Sequence, residues 1–185
     1  MYDPLQRLQN HYKLDHWGDD LTNYMHPNWP RKLTPSFTRC VQSGGKDCSY
    51  PLAKHFYTLW FCGFDKNPRC VHKKEISRAS SLARRTIESL QLVGVMEQLG
   101  EFVMSLEAQT PSVFGGLGEL YWSDAFRQVH EDFKPKRNNS LEAAMETRLK
   151  ETLKDEYSLY QFAKSNFHKQ FMNLTSGKGQ PRSPS

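Results

Sequence analysis

Leu92-Val93-Gly94-Val95 is an unbroken apolar run at which the spacing of apolar residues changes. Its length and continuity suit a buried strand. From Met96 onward the period becomes helical: Met96, Leu99, Phe102, Val103 and Leu106 fall on one side, with Glu97, Gln98, Glu101 and Glu107 on the other. This predicts an amphipathic helix from Met96 to Ala108. Pro111 cannot continue it, and Gly115-Gly116-Leu117-Gly118 predicts a flexible loop before Leu120 and Tyr121. A buried strand running into an amphipathic helix is half of a parallel β-α-β layer, so the predicted fold class is α/β with a parallel sheet.

Other segments add helices. Asp3 is a suitable N-cap, Pro4 fits the first helical position, and Leu5, Leu8 and Tyr12 share a face, predicting a helix to Leu14. The residues from His16 to Phe37 read as a loop broken by three prolines. A second helix is predicted from Glu75 to Leu90, with Ala79, Leu82, Ala83, Thr86, Ile87 and Leu90 inward and Lys74, Arg78, Arg84 and Arg85 on or near the outer face. Trp122 to Lys136 reads as a loop with a basic end, Lys134-Pro135-Lys136-Arg137. A long C-terminal helix should begin near Ser140, where Asn139 and Glu142 resemble a capping box. Its stripe is Leu149, Leu153, Tyr157, Tyr160, Phe167 and Phe171. The low-complexity tail from Ser176 is expected to be disordered, which leaves one domain over residues 1–175.

Composition narrows the function. Hydrophobic residues make up 37% and mean hydropathy is −0.73, so the 12% of aromatics must carry much of the burial. The net charge of +5 favours an anionic partner and leaves nucleic acid, acidic glycan and membrane surface open. No apolar run approaches the roughly 20 residues of a membrane span, and Met1 to Leu5 shows no secretory leader. That would suggest the cytosol, but the cysteines point elsewhere. Cys40 and Cys48, and likewise Cys62 and Cys70, are eight positions apart, wider than zinc-binding pairs. Two short loops closed by disulfides are favoured, implying an oxidising compartment. Four cysteines nevertheless allow three connectivities, and four reduced, buried thiols are the alternative. Sequons at Asn138 and Asn173 agree with the secretory pathway. His16, Asp19, Asp20 and His26 match no metal-binding spacing, so no metal is expected.

Several segments in order resemble a known family: Asp3-Pro4-Leu5 with Arg7-Leu8, Gly18-Asp19-Asp20, Cys40-Val41 with Gly44-Gly45 and Asp47-Cys48, Phe61-Cys62-Gly63, Cys70, Leu92-Val93-Gly94-Val95, and Glu119-Leu120-Tyr121. The ordered set is similar to the heparan sulfate 2-O-sulfotransferases and uronyl 2-sulfotransferases, from Asp3 to about Phe171. The resemblance implies the C-terminal part of a P-loop-like sulfotransferase domain anchored in the Golgi membrane. Such enzymes move sulfate from the donor PAPS to the 2-hydroxyl of a uronic acid in a glycosaminoglycan. It also implies the local disulfides Cys40–Cys48 and Cys62–Cys70. Tyr121 matches a tyrosine lining the nucleotide site. Asn10 stands where the family has a serine, and Tyr2 where it has an arginine, both gripping the donor's 3′-phosphate. Arg137, with Lys136 beside it, resembles a substrate-carboxylate contact. The family's catalytic histidine and 5′-phosphosulfate loop lie upstream of the Asp-Pro-Leu segment, so no catalytic residue is assigned. Gly115 to Gly118 lacks the lysine and following helix of a phosphate cradle.

Two functions compete on these grounds: an enzyme portion, and a non-catalytic, disulfide-stapled glycosaminoglycan-binding protein derived from the family. A nucleic-acid binder rests on charge alone and ranks last. Homo-oligomerisation is left open. If transfer were seen without the family's base, His11 and His130 would be the first replacements to test.

Overall fold

The computed structural model describes residues 1–16, 36–45, 48, 55–63, 70, 75–132 and 141–176. Among them every regular element is helical. Helix α1 (Pro4–His16) starts as its sequence dictates, with Asp3 Oδ1 accepting from the N–H groups of Leu5 (3.0 Å) and Gln6 (3.1 Å). Helix α2 (Phe37–Gln42) is capped by Ser36. Helix α3 (Phe56–Cys62) ends on Gly63, whose φ of 80° is the left-handed cap that glycine tolerates best. Helix α4 (Ile76–Ser89) follows. After one 3-10 turn (Met96–Gln98) come α5 (Leu99–Gln109), α6 (Pro111–Phe114), α7 (Leu117–Trp122), α8 (Asp124–Asp132), α9 (Ala143–Thr152) and α10 (Lys154–Thr175).

The expected parallel sheet is absent among the described residues. Leu92 to Val95 has no strand assignment, although Val95 is extended and Val93 and Val95 are buried. Met1 N–H donates to the Gly94 carbonyl (2.6 Å) and Met96 N–H to the Met1 carbonyl (2.8 Å). Helices cover the apolar side chains instead: Val93 packs with Tyr57, Ala83, Ile87, Leu159 and Ala163. An apolar run reports burial, and helices supply it as well as a second strand would.

Two cores lie along α10. One joins Leu5, Leu8 and Tyr12 of α1, Phe37 and Cys40 of α2, Cys48, Leu149 and Leu153. The other is the cluster around Val93. The single long C-terminal helix expected from near Ser140 is divided at Leu153 into α9 and α10. Its buried stripe is Leu149, Leu153, Glu156, Tyr160, Ala163 and Phe167, alternating steps of four and three residues. Two expected loops are ordered: α7 begins directly at Leu117, and Asp124 to Asp132 forms α8. Arg84, expected on an outer face, lies over the Phe162 ring at 4.7 Å and donates to Ser158 Oγ at 2.8 Å, tying α4 to α10.

Both local disulfides are present, with Cα–Cα distances of 6.0 Å. Cys40 and Cys62 lie at helix C-terminal ends, so each bridge ties a later cysteine, Cys48 or Cys70, back to a helix end. Gly45 lies so close to the first bridge that a Cβ there would sit 2.6 Å from Cys40 Sγ.

Candidate functional site

The most elaborate polar arrangement lies where α1, α3 and α10 meet. Glu156 occupies a core position on α10 and is fully buried. Its Oε2 accepts from Tyr57 N–H (2.8 Å), and its Oε1 from Thr58 N–H (3.0 Å) and Thr58 Oγ1 (2.9 Å). These are free donors of the first turn of α3, where a carboxylate replaces the missing acceptors. Burial pushes the Glu156 carboxyl above its ordinary range, against the opposing pull of the Thr58 and Tyr57 donors and the Arg7 charge. Arg7 is itself buried, its guanidinium 4.5 Å from the Phe56 ring centroid and 5.3 Å from that of Tyr57.

Tyr57 carries the network to the first residues. Its hydroxyl donates to the Tyr2 carbonyl (2.9 Å) and accepts from Tyr2 N–H (2.8 Å). Burial pushes this phenol up to about 12. Tyr157 donates to Asp3 Oδ1 at 3.0 Å, and Tyr160 to Glu97 Oε2 at 2.6 Å. Residues 1–3 are thus held from α3, from α10 and from the extended segment before the 3-10 turn. The signal for this centre was present in the sequence: Glu156 falls in the apolar register of α10, where an acidic residue needs partners. The arrangement fixes backbone rather than catalyses, since the Glu156 oxygens are taken up by donors inside the protein.

The residues singled out from the sequence are dispersed. Asn10 is half-buried on α1, whose main packing partners are α2 and α10. Tyr121 is half-buried on α7, its ring 4.9 Å from Trp122 and 5.3 Å from Phe126, and α7 packs chiefly on α5 and α8. Tyr2 is 42% exposed and brings no cation. Asn173 lies exposed in the last turn of α10. His11 is an exposed residue of α1, and His130 belongs to α8. Lys134, Lys136, Arg137 and Asn138 lie outside the described residues, as do Asp19, Asp20 and His26. Among the described residues no His/Cys/Asp/Glu group could hold a metal, and no helix is long and apolar enough to cross a membrane.

The glycine-rich turn gives a clear result on donor phosphates. A short helix does follow it, contrary to expectation, but its amides are already engaged. Glu107 accepts from Gly116 N–H through Oε1 (2.8 Å) and from Gly118 N–H through Oε2 (3.0 Å). A carboxylate seated there repels a phosphate. With Tyr2 in place of a cation, neither this turn nor the Tyr2 position fits a nucleotide phosphate.

No protein-family model matches the chain. Individual relatives do. It is 29% identical over 168 residues to heparan sulfate 2-O-sulfotransferase 1 of Xenopus laevis, covering 89% of this chain and 45% of that protein. The protein of that name from Homo sapiens is 33% identical over 122 residues, 64% of this chain and 32% of its own. A heparin sulfate O-sulfotransferase of Drosophila melanogaster is 29% identical over 169 residues, 89% of this chain and 46% of its own. The chain therefore spans about half the length or less of these curated relatives, and over most of its own length it is similar to proteins named heparan sulfate 2-O-sulfotransferase.

Proposed function

We propose that this chain is the C-terminal portion of a glycosaminoglycan 2-O-sulfotransferase, which transfers sulfate from PAPS to the 2-hydroxyl of a uronic acid. The observation that carries the reading is the match to named sulfotransferases over 89% of the chain but 45% of the relative. Transfer needs a base at the acceptor hydroxyl and a site for the anionic leaving group. By resemblance both belong to the upstream portion of such an enzyme, and the Glu107-filled glycine turn supports looking there for the donor site. The part contributed here is acceptor binding through Lys136 and Arg137, on a chain whose net charge of +5 favours a polyanion. An oxidising compartment, which the two disulfides favour, agrees with a Golgi location and with glycan addition at Asn138 and Asn173.

Heparin-affinity chromatography with a parallel PAPS assay tests this. The isolated chain should elute from heparin at modest salt, earlier still after Arg137→Ala, because exposed charge contacts are screened. It should transfer no labelled sulfate to desulfated heparan. Turnover by the chain alone would overturn the assignment of the base to the upstream portion, and His11→Ala and His130→Ala would follow. Failure to retain heparin would overturn the acceptor role.

A further inference from the structure

Residues 92–95 carry a backbone edge that this chain covers only in part. Val93 and Val95 are buried while Leu92 and Gly94 are half-buried, which is the period of two of an extended segment. Val95 itself is extended, with φ −112° and ψ 146°. Both faces of the segment are packed. Val93 lies among Tyr57, Ile87 and Leu159, and the Phe102 ring lies so close to Gly94 that an added Cβ would overlap it. What stays open is the backbone. Successive residues of an extended segment aim their N–H and C=O groups at opposite edges, so those of Leu92, Gly94 and Met96 share one edge. Met1 occupies one end of that edge. Its amine donates to the Gly94 carbonyl at 2.6 Å, and its carbonyl accepts from Met96 N–H at 2.8 Å. The next pair along the same edge is the Leu92 carbonyl and the Gly94 N–H, and neither has a hydrogen-bond partner among the described residues.

The two Met1 bonds fix a register. A residue that donates to one position and accepts from the position two further on pairs in the same direction, which sets Met1 opposite Val95. Chain continued backward from Met1 in this register brings the second residue before it opposite Val93. There its N–H meets the Leu92 carbonyl and its carbonyl meets the Gly94 N–H. We propose that the upstream portion of the enzyme docks on this chain by laying the extended segment just ahead of Met1 along the edge of residues 92–94. This inference rests on the reading above that such a portion precedes this one. The matched relatives are long enough to supply it, since only 45% of the Xenopus protein is covered. Half-buried backbone groups call for partners. An added extended peptide supplies them at strand spacing, whereas a helix has its own backbone groups paired internally. A second copy of this chain does not fit, because a two-fold axis sets equivalent segments running in opposite directions, and Met1 already holds this edge in the same direction.

The test follows amide exchange residue by residue in the full chain and in the same chain carrying a short extension ahead of Met1. The extension is the segment immediately ahead of the matched part of human heparan sulfate 2-O-sulfotransferase 1. In the unextended chain Gly94 should exchange faster than Met96, whose N–H the Met1 carbonyl holds. The extension should slow Gly94 by about 10-fold or more and leave α10 unchanged. Proline in place of the second residue before Met1 removes the donor to Leu92 and should undo most of that slowing. Proline immediately before Met1, where the N–H faces the other edge, should not. Gly94 exchange indifferent to the extension, or slowing lost equally with either proline, would overturn the proposal. The same measurement on the whole upstream portion joined ahead of Met1 separates this inference from the reading beneath it. Sulfate transfer by the joined protein with Gly94 still in fast exchange would overturn the docking alone. Gly94 slowed without transfer would uphold the docking and overturn the assigned activity.

Discussion

Replacing Glu156 probes the centre of the fold. Glu156→Ala removes the acceptor for the N–H groups of Tyr57 and Thr58 and for the Thr58 hydroxyl, and takes a countercharge from buried Arg7. An unpaired buried donor costs about 1–3 kcal/mol, and removing one partner of a buried pair about 3–5 kcal/mol, so a loss of about 3–5 kcal/mol is expected. A domain of this size holds roughly 5–15 kcal/mol, and at about 2–4 °C per kcal/mol Tm should fall by about 6–20 °C. Glu156→Gln keeps one acceptor oxygen but turns an NH2 group toward a donor, for about 1–3 kcal/mol. The pH dependence has a definite sign. Burial raises the carboxyl in the native state above its ordinary 4.5, so the native protein holds that proton more tightly than the unfolded chain. The associated stability is full below the ordinary value and is lost as pH rises through the raised one. The Glu156→Gln penalty should therefore be larger at pH 4 than at pH 8. Urea unfolding followed by circular dichroism at both pH values measures it. A loss below about 1 kcal/mol for Glu156→Ala with an unchanged m-value would refute the reasoning, for it would mean that water replaces the carboxylate without cost.

Tyr57→Phe deletes both bonds to Tyr2 and should cost about 1–3 kcal/mol; in the unsubstituted protein this phenol should titrate near 12, its stabilising share present below the ordinary 10.0 and lost as pH rises through the raised value, which ultraviolet difference titration follows. Removing the Cys40–Cys48 bridge by a double alanine substitution reopens a short loop and should cost about 2.5 kcal/mol, read from thermal melts. Glu107→Ala frees the amides of Gly116 and Gly118, and exchange at these two positions should speed up with about 1–2 kcal/mol of local destabilisation, while exchange in α10 stays unchanged.

Local rules carried well where local chemistry decides. Asp3 and Pro4 start α1, Leu5, Leu8 and Tyr12 form its buried face, and Ala79, Ala83 and Ile87 form that of α4. The cysteine spacing, with the resemblance, gave both bridges. The sheet was misread because an apolar run encodes burial and not the identity of its cover; at Val93 that cover is Tyr57, Ile87 and Leu159. The glycine turn looked loose because glycine content signals freedom, whereas Glu107, about ten residues earlier, fixes it through contacts no local window contains. The break at Leu153 was missed because the apolar spacing runs through it unbroken, Leu149 to Leu153 to Tyr157. Glu156 itself was overlooked, since the stripe was drawn through Tyr157 and Phe171 instead. Of the proposed ligand residues, Asn10 and Tyr121 were found as half-buried positions on separate helices, which sequence order alone could not have told.

The reading of this chain as the C-terminal portion of a uronyl 2-O-sulfotransferase is tested most directly by complementation. The upstream portion of human heparan sulfate 2-O-sulfotransferase 1, joined ahead of Asp3, is assayed with labelled PAPS and 2-O-desulfated heparan, and the products are resolved by disaccharide analysis. The account predicts sulfate on the uronic acid 2-hydroxyl from the joined protein and none from either part alone. A joined protein that melts cooperatively yet transfers nothing, or places sulfate elsewhere, would contradict it.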